Sequence, residues 1–430
     1  MVANLQENSH PVLPVVVLGG GLVTGTSVAR IFNRAGFKTY NLETVPELSS
    51  YSRYYHPLRG KAKIEATPEH LAGFLAATEL DRAFLIACSD NWVSAVATLP
   101  EALRVRFLTC VPPQHAIETL LNKWRFAQIL SHLNIPRPQT RLTDSMEDLE
   151  ALDPCEFATA FLKPLSSLDF VRAHGVKALI FPSKGAAIQH ARKFGFPIML
   201  QEFISGPPTA HYFIDGFVDR NGRTRARFTR QRIRMYPPLF GNSTCTVSVP
   251  SEPLLPAAES LDVLFRHLKY RGIFNAEFKF DERDGQFKLL EINVRPWIYV
   301  EFAARAGVNV CLMAYRDALE LPVETVGNFE LGRQCVDVLQ DFRAFRDQPK
   351  ADRESVWSWI RFLLQADKIA FRWTDPGVAI ASLMQVARRR LLRQVRLWAG
   401  KSNCAQHGTA SPDLHPPSES ESRWRRVLQR

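Results

Sequence analysis

No apolar run in the 430-residue chain approaches the roughly 18–20 residues needed to cross a bilayer, which argues against a membrane-spanning helix. The opening MVANLQENSHP has neither a basic n-region nor an apolar h-region, so a cytoplasmic location is expected. Cysteine is sparse. Cys88, Cys110, Cys155, Cys245, Cys311, Cys335 and Cys404 are scattered, odd in number and contain no C-x-x-C pair. That argues against a disulfide framework and a zinc site, and predicts reduced, mostly buried thiols. Internal repeats are missing too. The net charge of +11 first points to nucleic acid, but it is unevenly spread: residues 351–430 hold 14 Lys/Arg against 7 Asp/Glu. The remainder is mildly basic, as expected for a protein that takes an anionic nucleotide rather than a nucleic acid.

What is present reads as α/β followed by α+β. Residues 13–45 give strand, glycine turn, helix and strand (LPVVVLG, GGLVTGT, SVARIFNRAGF, KTYNLE), the opening of a doubly wound unit. A buried strand RAFLIAC at 82–88 ends in Ser89-Asp90. The glycine turn lacks G-x-G-x-x-G spacing because Thr24 stands at its sixth position, so a dinucleotide site is weakly signalled. One amphipathic helix is expected over AIETLLNKWRFAQILSHL, stopped by NIPRP. Short strands follow at TAFLKPL (159–165) and PIMLQEFI (197–204), with a helix at 184–194 between them. An antiparallel sheet is expected over 210–250, a helix near 256–269, the hairpin GIFNAEFKF/FKLLEINVRPW and a helix at about 301–319. Beyond 350, VWSWIRFLLQADKIAFRW and AIASLMQVARRRLLRQVRLWAG read as amphipathic helices with aromatic and basic faces.

The hairpin carries the chemistry. In a strand alternate residues share a face, so Glu291, Asn293 and Arg295 point one way while Leu290, Ile292 and Val294 point the other. A three-residue turn at Arg283-Asp284-Gly285 pairs Glu282 with Gln286 and sets Glu277 opposite Glu291. Facing carboxylates repel by about 0.2–1 kcal/mol, so a cation is expected between them. Two carboxylates and an amide carbonyl suit Mg²⁺, and Arg295 adds a fixed positive charge. The plainer reading is a solvated charged face helped by Lys279 and Lys288, and the hairpin alone leaves both open.

AEFKF…KLLEINVRP resembles the metal-binding strand pair of the ATP-grasp superfamily, and the likeness runs from about residue 13 to 320. HGVKALIF, YPPLFG and LLEINVRPW resemble bacterial proteins described as predicted ATP-grasp carboligases. The resemblance implies a Rossmann-like N-terminal domain at 11–112 and a two-lobed ATP-grasp domain at 113–325 with a hinge near 201–206; beyond it the residue pattern gives a helical extension at 326–400 and a disordered tail at 401–430. It assigns the metal to Glu277, Glu291 and Asn293, and a catalytic role to Arg295 and Lys163. Nucleotide contacts fall to Lys123 (NKWRFAQILSHLNIPRPQT), Lys163 (FLKP), Lys177 and the hinge residues Gln201, Glu202, Phe203 and Ile204 (LQEFISG). Two features depart from the family pattern. Pro208 stands near the place of the ribose-binding acid, and the phosphate-covering loop SSLDFVRAHGVKAL has a single glycine, Gly175, with Ser166, Ser167, His174 and Lys177 available.

The implied chemistry is ATP- and Mg²⁺-dependent ligation, with Mn²⁺ as a substitute ion: a carboxylate becomes an acyl phosphate and an amine attacks it. The expected partners are therefore a small carboxylate and a small amine. Arg230, Arg232 and Arg234 alternate along TRQRIRMYPP and could hold an anionic carboxylate, or form a solvated basic face. Competing readings are an ATP-grasp kinase acting on a hydroxyl and an ATP-binding accessory protein whose basic helices after 350 touch anionic lipid. An NAD(P)-dependent oxidoreductase leaves the 277–295 constellation unexplained.

Overall fold

Parallel strands need apolar residues on both faces, and VVVL and AFLIA supply them. Val15–Leu18 (β1), Thr39–Leu42 (β2), Ala83–Ala87 (β3) and Phe107–Thr109 (β4) pair in parallel in the order β2-β1-β3-β4. The computed structural model describes residues 12–19, 23–43, 48–58, 64–153, 160–163, 179–180, 183–348 and 353–388. The expected tail at 401–430 and the loop carrying Ser166, Ser167, His174, Gly175 and Lys177 lie outside these residues. Val16, Leu18 and Leu85 join Phe274, Phe278 and Leu289 in one buried cluster, whereas Val15, Val17 and Phe84 join Phe228, Phe302 and Tyr315 in another. The core of this sheet is thus continuous with the second half of the chain.

A small antiparallel sheet follows, with Thr140–Thr143 (β5), Ala160–Lys163 (β6) and Ile198–Glu202 (β7) in the order β5-β7-β6. Its core sets Leu162, Ile198 and Leu200 against Ala187 and Ala191 of the helix Lys184–Phe194, which Ser183 caps and Gly195 ends. The large sheet holds His211–Val218 (β8), Thr224–Tyr236 (β9), Asn242–Ser248 (β10), Gly272–Asp281 (β11), Gln286–Asn293 (β12), Gln334–Val336 (β13) and Asp367–Lys368 (β14). Their order is β12-β11-β8-β9-β10-β13-β14, antiparallel except for the last pair.

Four expectations change. The helix drawn over 116–133 is two helices, Gln114–Leu121 and Lys123–His132, because Asn122 leaves helical geometry and its side chain accepts from Trp124 N and Arg125 N. The closing helix is likewise split into Val300–Arg305 and Val310–Ala318. The segment from 326 is not purely helical: Gln334–Val336 and Asp367–Lys368 are strands of the large sheet, and the helix begun at Val356 ends at Gln365. Finally, the β11–β12 turn spans four residues, Glu282 to Gly285, so that Asp281 rather than Glu282 faces Gln286. Gly285 supplies the positive φ of 68° that the turn needs.

The C-terminal segment is tied back to the N-terminal sheet. Arg30 is fully buried and donates from Nε to Asp375 Oδ2 at 2.8 Å; Ser52 Oγ donates to the same oxygen at 2.6 Å. Arg34 and Arg372 both donate to Glu301. The described thiols Cys88, Cys110, Cys245, Cys311 and Cys335 are free, and all but Cys110 are buried. Among the described residues no helix is long and apolar enough to cross a membrane.

Candidate active site

A cleft of about 770 Å³ lies between the small and large sheets. On its large-sheet wall Asn275, Glu277 and Lys279 come from β11, Glu291 and Asn293 from β12, and Arg230 and Arg232 from β9. Glu277 faces Glu291 as the spacing predicts, although the turn is one residue longer. A bulge between the Glu277 and Phe278 pairings absorbs the extra residue. It also re-aims the side chains: Leu289 is in the core at 1% exposure while Leu290, expected there, lines the cleft.

Glu277 Oε1 accepts from Arg232 Nη2 at 2.8 Å and pairs with His211 Nδ1 at 2.9 Å. Burial alone would raise its pKa, but Arg232 and His211 hold the carboxyl well below its ordinary value. Burial pushes His211 down to about 4, so its imidazole is neutral at pH 7. Glu291 forms no hydrogen bond or ion pair with another described residue. Asn293 donates from Nδ2 to Asn275 Oδ1 at 2.9 Å, and its own Oδ1 accepts from Arg295 Nη2 at 3.3 Å. Asn275 thereby fixes which way the Asn293 amide turns. Arg295 also donates from Nε to Asp90 Oδ1 at 2.6 Å, reaching the helix that follows β3.

Three further walls close the cleft. Lys163, at the end of β6, donates to Gln201 Oε1 at 3.1 Å and to Leu290 O at 3.5 Å, and burial pushes its ammonium down. Lys123 opens the helix Lys123–His132, and the break at Asn122 brings it to the cleft. Gln201, Glu202, Phe203 and Ile204 line the third wall with Phe161 and Phe240. Phe203 lies 6.3 Å from the Phe161 ring and 5.9 Å from that of Phe240. The Glu202 carboxylate is taken by Gln139 N and by Arg283 of the β11–β12 turn, so the turn is strapped to the end of β7. Lys279 stands 5.0 Å from the Phe203 centroid, and burial followed by Arg232 lowers it to about 8.

The structure therefore brings together Lys123, Lys163, Gln201–Ile204, Arg230, Arg232, Glu277, Glu291, Asn293 and Arg295. Arg234 is the exception. It bonds Asp341 through Nε and Nη2 and Glu354 through Nη1, and it does not line the cleft; its expected place beside Arg230 and Arg232 is corrected accordingly. Lys177 lies outside the described residues. Sequence reasoning missed His211 and Asp90 and treated Lys279 as solvated. The i, i+2 spacing of Asn275, Glu277 and Lys279 carried the signal for Lys279, whereas His211 is reached only across the strand pair, opposite Lys279.

No protein-family model matches the chain. Over 247 residues it is 24% identical to the D-aspartate ligase of Enterococcus faecium (strain Aus0004), a match covering 54% of this chain and 58% of that enzyme. The chain thus spans little more than half the length of this curated relative. Among solved structures it resembles the carboxyaminoimidazole ribonucleotide synthase of Aspergillus clavatus complexed with ATP, with a TM-score of 0.55 at 15% identity, covering 75% of this chain and 80% of that one. The L-amino acid ligase of Bacillus licheniformis gives 0.52 at 16% identity, covering 73% and 75%. At these identities the likeness is one of fold, a mixed α/β architecture with parallel and antiparallel sheets.

Proposed function

We propose that the chain is an ATP-dependent ligase that activates a substrate carboxylate as an acyl phosphate for attack by an amine. The observation that carries the reading is Glu277 opposite Glu291 in a cleft whose facing wall holds Lys163. The two carboxylates and the Asn293 amide oxygen are a hard-oxygen donor set that fits Mg²⁺ or Mn²⁺, and Glu291, whose charge acts on Lys163, makes no hydrogen bond to another described residue. When bound, the ion supplies charge neutralisation at the β- and γ-phosphates.

The chain's own residues then have separate tasks. Lys163 and Lys123 neutralise phosphate oxygens, and Gln201 fixes the Lys163 ammonium. The backbone of Gln201–Ile204 meets the adenine edge, and Phe161, Phe203 and Phe240 pack on its rings. A carboxylate oxygen of the substrate attacks the γ-phosphorus, the bond to the bridging oxygen breaks and ADP departs. Arg295, held by Asp90 and Asn293, offers a guanidinium to the charge that develops. An amine nitrogen then attacks the acyl carbon, the carbon–oxygen bond to phosphate breaks, and the nitrogen sheds its proton to solvent. The names of the D-aspartate and L-amino acid ligases support an amino acid as one reactant.

On the same reading the parallel sheet is a Rossmann-like unit at 11–112 and the ATP-grasp lobes occupy 113–325, hinged near 201–206. The reading also places the protein in the cytoplasm. Exposed Trp357, Leu364 and Trp373 support peripheral contact of the C-terminal segment with a membrane surface.

The test is phosphate release from Mg-ATP against a pooled panel of carboxylates and amines, with Glu291→Gln as control. Release that needs an added carboxylate and is abolished by the substitution supports the ligase. Failure to bind Mg-ATP overturns it.

A further inference from the structure

Two buried nitrogen donors on the wall of the cleft have no hydrogen-bond partner among the described residues: Arg230 Nη1 and Trp297 Nε1. Arg230 is 2% exposed and Trp297 3%. A buried donor left unmade is costly, so such a pair within one cleft marks a place that a ligand completes.

The surroundings specify the ligand. Arg230 donates from Nε to Asp215 Oδ2 at 2.7 Å, and Asn275 holds the other carboxylate oxygen of Asp215. The guanidinium is sandwiched, 3.7 Å from the Phe213 centroid and 5.0 Å from that of Tyr299. This bracing fixes one edge of the fork and leaves Nη1 for an acceptor. Tyr299 is itself anchored, donating to Ser243 O at 2.7 Å. An acceptor that can take a bond from a guanidinium and from an indole N–H, against aromatic walls, is a planar carboxylate. Arg230 acts on Glu277 through its charge, so this subsite adjoins the place of the carboxylate being phosphorylated; with Nε spent on Asp215 and Arg295 left to the reacting end, Arg230 serves the other end of the same substrate.

We propose that Arg230 and Trp297 form a carboxylate subsite that anchors the acid substrate through a second, unreacting carboxylate, which makes that substrate a dicarboxylic acid of the amino-acid class. The inference rests on the ligase reading and deepens it.

Hydroxylamine traps an acyl phosphate as a hydroxamate without any need to know the natural amine, so it reads the first half-reaction directly. Full-length protein with Mg-ATP is given both enantiomers of aspartate and glutamate, and alongside them the mono-amides that block one carboxylate at a time. At least one dicarboxylic acid is expected to yield hydroxamate, with the amide at the unreacting end raising KM at least tenfold. Trp297→Phe removes the N–H and keeps the aromatic packing; it is expected to raise KM for the acid five- to twentyfold while KM for ATP stays fixed. Arg230→Lys, which keeps a cation beside Asp215, is expected to raise the same KM further. Hydroxamate from monocarboxylates with equal kcat/KM, no hydroxamate from any dicarboxylic acid, or an unchanged KM in Trp297→Phe overturns the subsite. Loss of Mg-ATP binding in the unsubstituted protein instead removes the ligase reading beneath it.

Discussion

Arg295 and Asp90 meet at 2.6 Å although 205 residues separate them, so the arginine just beyond β12 is aimed by the helix after β3. Asp90 is 43% exposed in its side chain, and such a pair adds little to stability. Asp90→Asn is therefore expected to leave Tm within a degree or two and to lower kcat about tenfold, because Arg295 loses its second anchor. Phosphate release and thermal unfolding on the same preparation check this, and a fall in Tm with kcat intact would reverse the assignment.

His211 gives the fold an acid-sensitive point. Burial holds it near pKa 4, below its ordinary 6.5, so between those values the unfolded chain binds a proton that the folded chain does not. Stability then falls as pH drops through that window, by about 2 kcal/mol between pH 7 and 5. Glu277, held low, adds its own loss below its ordinary 4.5. His211→Asn should flatten the slope between pH 7 and 5 in urea titrations and leave the loss below pH 4.5.

Lys279, lowered to about 8, is charged at pH 7 and neutral at pH 9. Its place over Phe203 predicts that nucleotide affinity weakens about fivefold across that interval, as a cation beside the phosphates or ribose is lost. Lys279→Met should bind more weakly at pH 7 and show no such pH dependence. Equal affinity of the two proteins at pH 7 would place Lys279 outside the nucleotide site.

Arg234 serves stability. It faces Asp341, which is fully buried and also accepts from Thr244 and Trp359. Arg234→Ala leaves that charge without its arginine and should cost about 3–5 kcal/mol, read by denaturant titration. Specific activity per folded molecule should persist, whereas a rise in KM for the acid substrate would return Arg234 to the substrate site.

Legibility in the sequence followed period and spacing. Strands buried on both faces, such as VVVL and AFLIA, announce themselves, and the pairing of Glu277 with Glu291 followed from a two-residue period and a glycine turn. That pairing survived because two departures cancelled: the turn is one residue longer and a bulge removes the difference. Neither the bulge nor its effect on Leu289 and Leu290 has a local signal, since only the demand for core contacts chooses which leucine turns inward. The break at Asn122 was readable as a capping residue inside an apolar period, yet the period dominated. The role of Arg234 was not readable, because its partner Asp341 lies in a helix 107 residues further along the chain.

The Arg30–Asp375 bond sets an order of events during synthesis. Arg30 lies within the first unit to emerge from the ribosome, yet its carboxylate partner is made 345 residues later. Glu301, 3.6 Å from Nη1, supplies one counter-charge earlier, but until Asp375 follows the guanidinium lacks its hydrogen-bonded carboxylate in a fully dry site, which raises the electrostatic cost of closing the N-terminal sheet over it. The sheet that appears first therefore gains its last buried ion pair only near the end of synthesis, and a chain arrested short of residue 375 is expected to leave its N-terminal third more open to proteolysis than the full chain does.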